Sequence, residues 1–153
     1  MENRNSYEQM LEAQCQNHGR LLHLLHKIGE YDQCLFSEAS KSTPDTSAIE
    51  YCNIQKNKVI SQLDALSREI VNLQIFIEEA AESFLDGSTH PLYIKLSQLR
   101  KITSEEFRQV LHDEDMKNPQ LYKNLSAYRE RLELDLKIKE VPQSKRQVFY
   151  MRI

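Results

Sequence analysis

The sequence predicts a mainly α protein: three to four helices packed as a helical hairpin or coiled coil, with a short C-terminal β-hairpin. Three observations predict it. Capping residues recur just ahead of apolar-periodic stretches, at Ser6, Ser47 and Asn118. Val59, Leu63, Leu66, Ile70, Leu73, Ile77, Ala80 and Phe84 hold a 4-3 spacing, the mark of a helix packed along one seam. Finally, Leu132 to Lys139 alternates apolar and charged residues without a fault, which puts one set on each face of a strand but scatters them around a helix.

The elements follow in order. Ser6 with Gln9 reads as a capping box opening a first helix, with Tyr7, Leu11, Leu21, Leu22, Leu25, Ile28 and Leu35 as its apolar positions. Gly19 and Gly29 weaken it by about 1 kcal/mol each relative to Ala. Residues 41–45 form a connector, and Ser47 with Glu50 repeats the capping grammar for the second helix. Gly87 is expected as that helix's C-terminal cap. Pro91 is tolerated in the first turn of a third helix carrying Leu92, Leu96 and Leu99. Thr103 with Glu106 predicts a bend or restart before Phe107, Val110 and Leu111. Asn118 and Pro119 open a last helix with Leu121, Leu125, Tyr128 and Leu132. In the hairpin, Leu132, Leu134, Leu136 and Ile138 share one face, residues 142–145 turn, and residues 148–153 return with Phe149 and Met151. Residues 1–131 are thus expected as a helical region and 132–153 as the hairpin, in a single structural unit.

Composition narrows the function classes. With 3 glycines, 4 prolines and no tryptophan in 153 residues, extended helices with solvated faces fit better than a large globular core. The net charge of -3 gives no global attraction to nucleic acid. The first ninety residues are net acidic and the remainder net basic, which mixed-charge helix faces in water account for. The N-terminus is polar with no apolar run behind it, and no stretch reaches the roughly 18 apolar residues of a membrane span. With an odd number of cysteines in helix-like sequence, the expectation is a soluble chain in a reducing intracellular compartment.

Candidate chemistry is thin. Cys15, His18 and His26 can share a helix face, with His23 about 60° behind, but helical spacing does not by itself make ligands converge. A polar helix shoulder explains them, and no metal or cofactor is expected. His112, Asp113, Glu114 and Asp115 are consecutive and point in four directions from a helix. No glycine-rich phosphate loop, nucleophile elbow or paired Cys-x-x-Cys motif occurs, so no enzymatic activity and no small-molecule substrate are expected.

The interaction signals are stronger. Around the second helix's seam lie further apolar residues, among them Ile60, Val71, Ile75 and Phe76. A helix apolar nearly all round wants burial on several sides. It is either the central helix of a bundle within this chain or a stripe covered by another subunit, and the gapped stripes of the first and third helices favour the second. Val71 to Ile77 also alternates, which leaves strand as a minority reading there. The hairpin would leave two open sheet edges for partner strands. The expected partner-binding residues are therefore Val59, Leu63, Leu66, Ile70, Val71, Leu73, Ile75, Ile77 and Phe84 on the helix, and Leu132, Leu134, Leu136, Ile138, Phe149 and Met151 in the hairpin.

The stretch Tyr128-Arg129-Glu130-Arg131-Leu132-Glu133-Leu134-Asp135-Leu136, with Lys145 to Tyr150, resembles the junction where a coiled coil enters an RWD-type head in outer-kinetochore subunits of the microtubule-binding complex. Tyr128, Arg129, Leu132, Leu134 and Leu136 match, while Glu133 stands where that family prefers Gly. The resemblance implies a structural coiled-coil subunit of cell-division machinery, at the centromere in the nucleus. A vaguer likeness, on the helix count and the run from Lys56 to Leu66, is to flagellar type III export chaperones, which hold a substrate helix in an apolar groove. The expected function is thus a non-enzymatic subunit of a hetero-oligomeric protein complex, assembling by coiled-coil packing and strand pairing. An export chaperone is the alternative, cytoplasmic in that case.

Overall fold

The computed structural model describes residues 2–84, 87–117, 126–127 and 129–131. Three long helices carry the fold: α1 (Glu2–Ala39), α2 (Thr46–Glu82) and α3 (Pro91–Lys117), with a 3-10 turn at Gly87–Thr89 between the last two. Residues 126–127 and 129–131 are helical again. The described residues form a helical bundle.

The three long helices lie near their expected positions, but their caps differ from those expected. α1 begins at Glu2, ahead of the Ser6 box. The cap of α2 is Asp45, two residues before Ser47: its carboxylate accepts from the Ser47 N–H at 3.0 Å and the Ala48 N–H at 3.3 Å. That satisfies two otherwise orphaned donors of the first turn. Glu38 braces the same connector, accepting from the Asp45 N–H at 3.0 Å and from Lys41 Nζ at 2.8 Å. Ser83, rather than Gly87, caps the end of α2. Gly87 serves a close approach instead: a Cβ there would lie 2.1 Å from the Ala81 carbonyl oxygen. At the start of α3 the His90 ring accepts from the Leu92 N–H at 3.1 Å, ahead of Pro91 in the first position.

Three readings are decided by the helices. First, α3 is continuous through Thr103 and Glu106; Thr103 turns its hydroxyl back to the Leu99 carbonyl at 2.8 Å, so it bonds within the helix and starts no new one. Second, Val71 to Ile77 is helical, as the 4-3 seam on both sides predicts, and the minority strand reading falls away. Third, the fold is mainly α without the expected β-hairpin: among the described residues every element is helical, with no strand or sheet. The alternating segment 132–153, with Leu132, Leu134, Leu136, Ile138, Phe149 and Met151, lies outside the described residues. Alternation is a strand signal only where a sheet can bury one face, and two strands alone are marginal. The described bundle closes on helices and offers no sheet edge. The helix start at Asn118 and Pro119 also lies outside the described residues.

α1 is the central member, packing against both α2 and α3. Its contacts to α2 and the turn that follows run antiparallel, from Tyr7 beside Gly87 through Gln14 beside Gln74 to Cys34 beside Cys52. Its contacts to α3 run parallel, from Glu8 beside His90 to His26 beside Glu106. The apolar interior has two parts. Leu21, Leu25 and Ile28 of α1 meet Val59, Ile60, Leu63, Leu66 and Ile70 of α2 and Phe107 and Leu111 of α3. Toward the other end, Tyr7 and Leu11 meet Ile77, Ala81, Tyr93 and Leu96. Each fully buried large aliphatic side chain contributes about 1.5–3 kcal/mol, so these two clusters hold the three helices together.

Candidate functional site

Between the two apolar clusters lies a layer of buried polar side chains contributed by all three long helices: Gln14, Asn17 and His18 from α1, Gln74 and Glu78 from α2, Arg100 and Thr103 from α3. Its hydrogen bonds form a relay. Asn17 donates to Gln14 at 3.1 Å. Gln14 donates to the Ile70 carbonyl at 2.7 Å and to Gln74 at 3.0 Å. Gln74 donates to Glu78 at 2.7 Å, and the Tyr93 hydroxyl donates to the same carboxylate at 3.1 Å. Arg100 stands 3.7 Å from Glu78, an ion pair closed off from water on both sides. Burial first, and then the Glu78 charge, holds the Tyr93 phenol above its ordinary range.

His18 completes the layer at 3% exposure, with Nδ1 at 3.1 Å from Thr103 Oγ1. The Thr103 hydroxyl proton is committed to the Leu99 carbonyl, so His18 Nδ1 carries a proton and donates. Nε2 then carries a lone pair, and it has no hydrogen-bond partner among the described residues. Burial, and secondarily the Arg100 charge, lowers the His18 pKa from 6.5 to about 4. The imidazole is neutral at neutral pH. Its chemistry is that of a structural donor, since the groups around it are engaged in holding the helices.

The rest of the Cys15 shoulder disperses. Cys15 is half-buried, its thiol raised mainly by burial. His23 and His26 are exposed. Among the described residues no group of three or more His, Cys, Asp or Glu is placed to hold a metal ion.

The expected interaction residues on α2 mostly face inward. Val59, Leu63, Leu66, Ile70, Val71 and Ile77 are buried within this chain, while Leu73, Ile75 and Phe84 are half-buried, with the Phe84 ring 5.5 Å from Tyr7. The stripe read as a docking seam or substrate groove is covered by α1 and α3 of the same molecule. The gaps in those two helices' apolar stripes are where the polar layer sits. Assembly by strand pairing is likewise withdrawn, with its strand-pairing partners, because no strand stands among the described residues.

The surface left open lies elsewhere. Among the described residues the large apolar side chains most exposed are Phe36, Tyr51, Ile54, Phe76, Ile94 and Ile102. Phe36, Tyr51 and Ile54 belong to one end of the molecule, the tip of the α1–α2 hairpin, at 70%, 60% and 47% exposure. Tyr51 and Ile54 are one turn apart on α2. The pairing of Cys34 with Cys52 and of Asp32 with Lys56 sets Phe36 level with Tyr51 across the hairpin. The frame beneath is fixed by that Lys56–Asp32 ion pair, both partners of which are largely shielded from water. Sequence reasoning missed this tip because its apolar residues fall outside the seam. The available signal was Lys56, an ionisable residue in the inward-facing row of Cys52, Val59 and Leu63.

Of the segment resembling a kinetochore rod-to-head junction, only Arg129 to Arg131 is described. Arg131 donates to Asp64 at 3.0 Å and to Ser67 at 2.6 Å, which ties that stretch to α2. No protein-family model, curated protein or solved structure matches this chain.

Proposed function

We propose that this chain is a helical protein-interaction module that docks a protein partner through the tip of its α1–α2 hairpin and performs no catalysis. One observation carries the reading: among the described residues, half of the large exposed apolar side chains, including both exposed rings at that level, sit at one braced end of the bundle. Aromatic residues on a rigid frame are the favoured anchors of protein interfaces, since little entropy is lost when they are covered. The Asp45 cap, the Glu38 brace and the Lys56–Asp32 pair supply that frame. The polar layer supports the same reading, because its side chains are spent on each other and on the backbone.

The test is affinity purification with mass spectrometry on the full chain and two variants. Phe36→Ser/Tyr51→Ser is expected to lose the specifically bound partner while keeping wild-type helicity and melting temperature. Phe76→Ser, away from the tip, is expected to keep it. Retention of the same partner by the tip variant at wild-type yield would refute the proposal. So would a tip that serves only to join copies of this chain, read as a concentration-dependent mass in light scattering. The identity of the partner also tests the kinetochore setting, which rests on the resemblance at Tyr128 to Leu136.

A further inference from the structure

We propose that Cys34 and Cys52 form a reversible disulfide, a modification site that joins α1 to α2 at the tip of their hairpin. The two thiols belong to different helices, 18 residues apart in sequence, and their sulfurs stand 2.9 Å apart. Both are reduced in this structure. Their surroundings divide the roles. Cys34 is exposed and meets reagents from solvent, whereas Cys52, at 4% exposure, is reachable mainly from Cys34. Cys52 donates its S–H to Cys34. That hydrogen bond, and then burial, pushes the Cys52 thiol up to about 11. An exposed attacking thiol beside a shielded resolving thiol is the arrangement that dithiol exchange requires.

The oxidant is a low-molecular-weight disulfide, RSSR. The Cys34 thiolate attacks one of its sulfurs; a Cys34–SR bond forms and RS⁻ leaves with the electron pair of the broken S–S bond. Cys52 then gives up its proton to solvent, and its thiolate attacks the Cys34 sulfur. The Cys34–Cys52 bond forms and the second RS⁻ leaves. The two thiolates take up the two protons released from the cysteines, giving 2 RSH. Two electrons have passed from the cysteine pair to RSSR. The sulfurs need only close from 2.9 Å to the roughly 2.05 Å of a disulfide, a movement within side-chain reach. The reverse exchange with excess RSH restores the dithiol. Any consequence for partner binding rests on the tip being the docking surface, but formation of the disulfide does not.

The experiment equilibrates the full chain with glutathione and glutathione disulfide at several ratios, quenches with acid, alkylates and maps peptides without reduction. Trypsin separates the pair into adjacent peptides, Ile28 to Lys41 and Ser42 to Lys56. The expected product is the cross-link between these two, with a loss of two hydrogens from the intact chain and Cys15 still free. In Cys52→Ser the glutathione adduct on Cys34 is expected to accumulate, because nothing resolves it. In Cys34→Ser, modification of Cys52 is expected to be at least about tenfold slower, from its burial. Closing the loop is also expected to raise the melting temperature of the oxidised wild type by about 5–10 °C. Accumulation of the Cys34 adduct in the wild type, cross-links only between molecules, or equal reactivity of the two single variants would overturn the proposal. None of these readouts involves a partner, so failure here is distinct from failure of the docking role.

Discussion

Acidification should destabilise this protein through one buried histidine. His18 sits in the middle of the bundle with its pKa lowered from 6.5 to about 4 by burial and by the nearby Arg100 charge. The unfolded chain binds a proton there at pH 6.5, and the folded chain resists it until about pH 4. The contribution is therefore complete above pH 6.5, is lost as the pH falls through that window, and is gone below about 4. The gap corresponds to about 3 kcal/mol in all, of which about 2 kcal/mol has disappeared by pH 5. That is a large part of the 5–15 kcal/mol by which domains are stable. The assay is urea denaturation at half-unit steps from pH 4.5 to 8, on wild type and on His18→Asn. Asn keeps a donor near the Nδ1 position, facing Thr103, but cannot titrate. The variant is expected to be less stable at pH 8, from lost packing, and to have a slope shallower by up to about 1.4 kcal/mol per pH unit between pH 5 and 6. Subtraction of the two curves removes His90, His26 and the carboxylates, which are common to both. Parallel curves would refute the argument. So would a His18 ring signal in NMR that titrates near 6.5.

Three further outcomes follow from the packing. Arg100→Met leaves Glu78 buried beside Gln74 and Tyr93 without its cation, and is expected to cost about 3–5 kcal/mol; adding Glu78→Leu should recover part of it, and an additive double-mutant cycle would show that the pair is not coupled. Leu63→Ala, in a side chain with no exposed surface, is expected to lose about 2–5 kcal/mol in urea denaturation, and a loss below about 1 kcal/mol would place it outside the core. Gly87→Ala drives a Cβ into the Ala81 carbonyl and disturbs the 2.6 Å bond from the Tyr7 hydroxyl to the Gly87 carbonyl; about 1–3 kcal/mol is expected, and an unchanged melting temperature would contradict the close approach.

The helices were legible because their signals are local. The connector at 41–45, the start at Pro91 and the seam from Val59 to Ile77 each follow from residues within a turn or two of one another. What was misjudged depends on facts that are not local. Whether the α2 stripe is covered in cis or in trans turns on what α1 and α3 present to it. Their stripes looked gapped because Gln14, His18, Arg100 and Thr103 occupy core positions, and a polar residue in a core position reads as surface until its partners are known. The alternation at Leu132 to Lys139 reads as a strand, but no sheet stands among the described residues to receive one. Cys34 and Cys52 share no sequence motif, and only the antiparallel register of α1 on α2 brings them together.

That register is itself the work of the polar layer. Apolar stripes with a 4-3 spacing fit nearly as well after a slip of seven residues, because the pattern repeats. The relay does not repeat. Sliding α1 by one heptad along α2 would set Gln14 near Leu63 and Ser67, or near Ile77 and Ala81, in place of Ile70 and Gln74. Gln14 would then be buried without the Ile70 carbonyl and Gln74, and the Gln74 amide oxygen without its donor, at about 1–3 kcal/mol for each unsatisfied group. His18 would also lose Thr103 unless α3 slid as well, and α3 is held by Arg100 and Tyr93 to Glu78 of α2. A slip therefore costs several groups at once and gains no apolar contact. The same constraint sets Cys34 opposite Cys52 and Phe36 level with Tyr51. Variants that empty the layer, such as Gln14→Leu/Gln74→Leu, should leave a helical bundle whose tip no longer cross-links cleanly between those two cysteines.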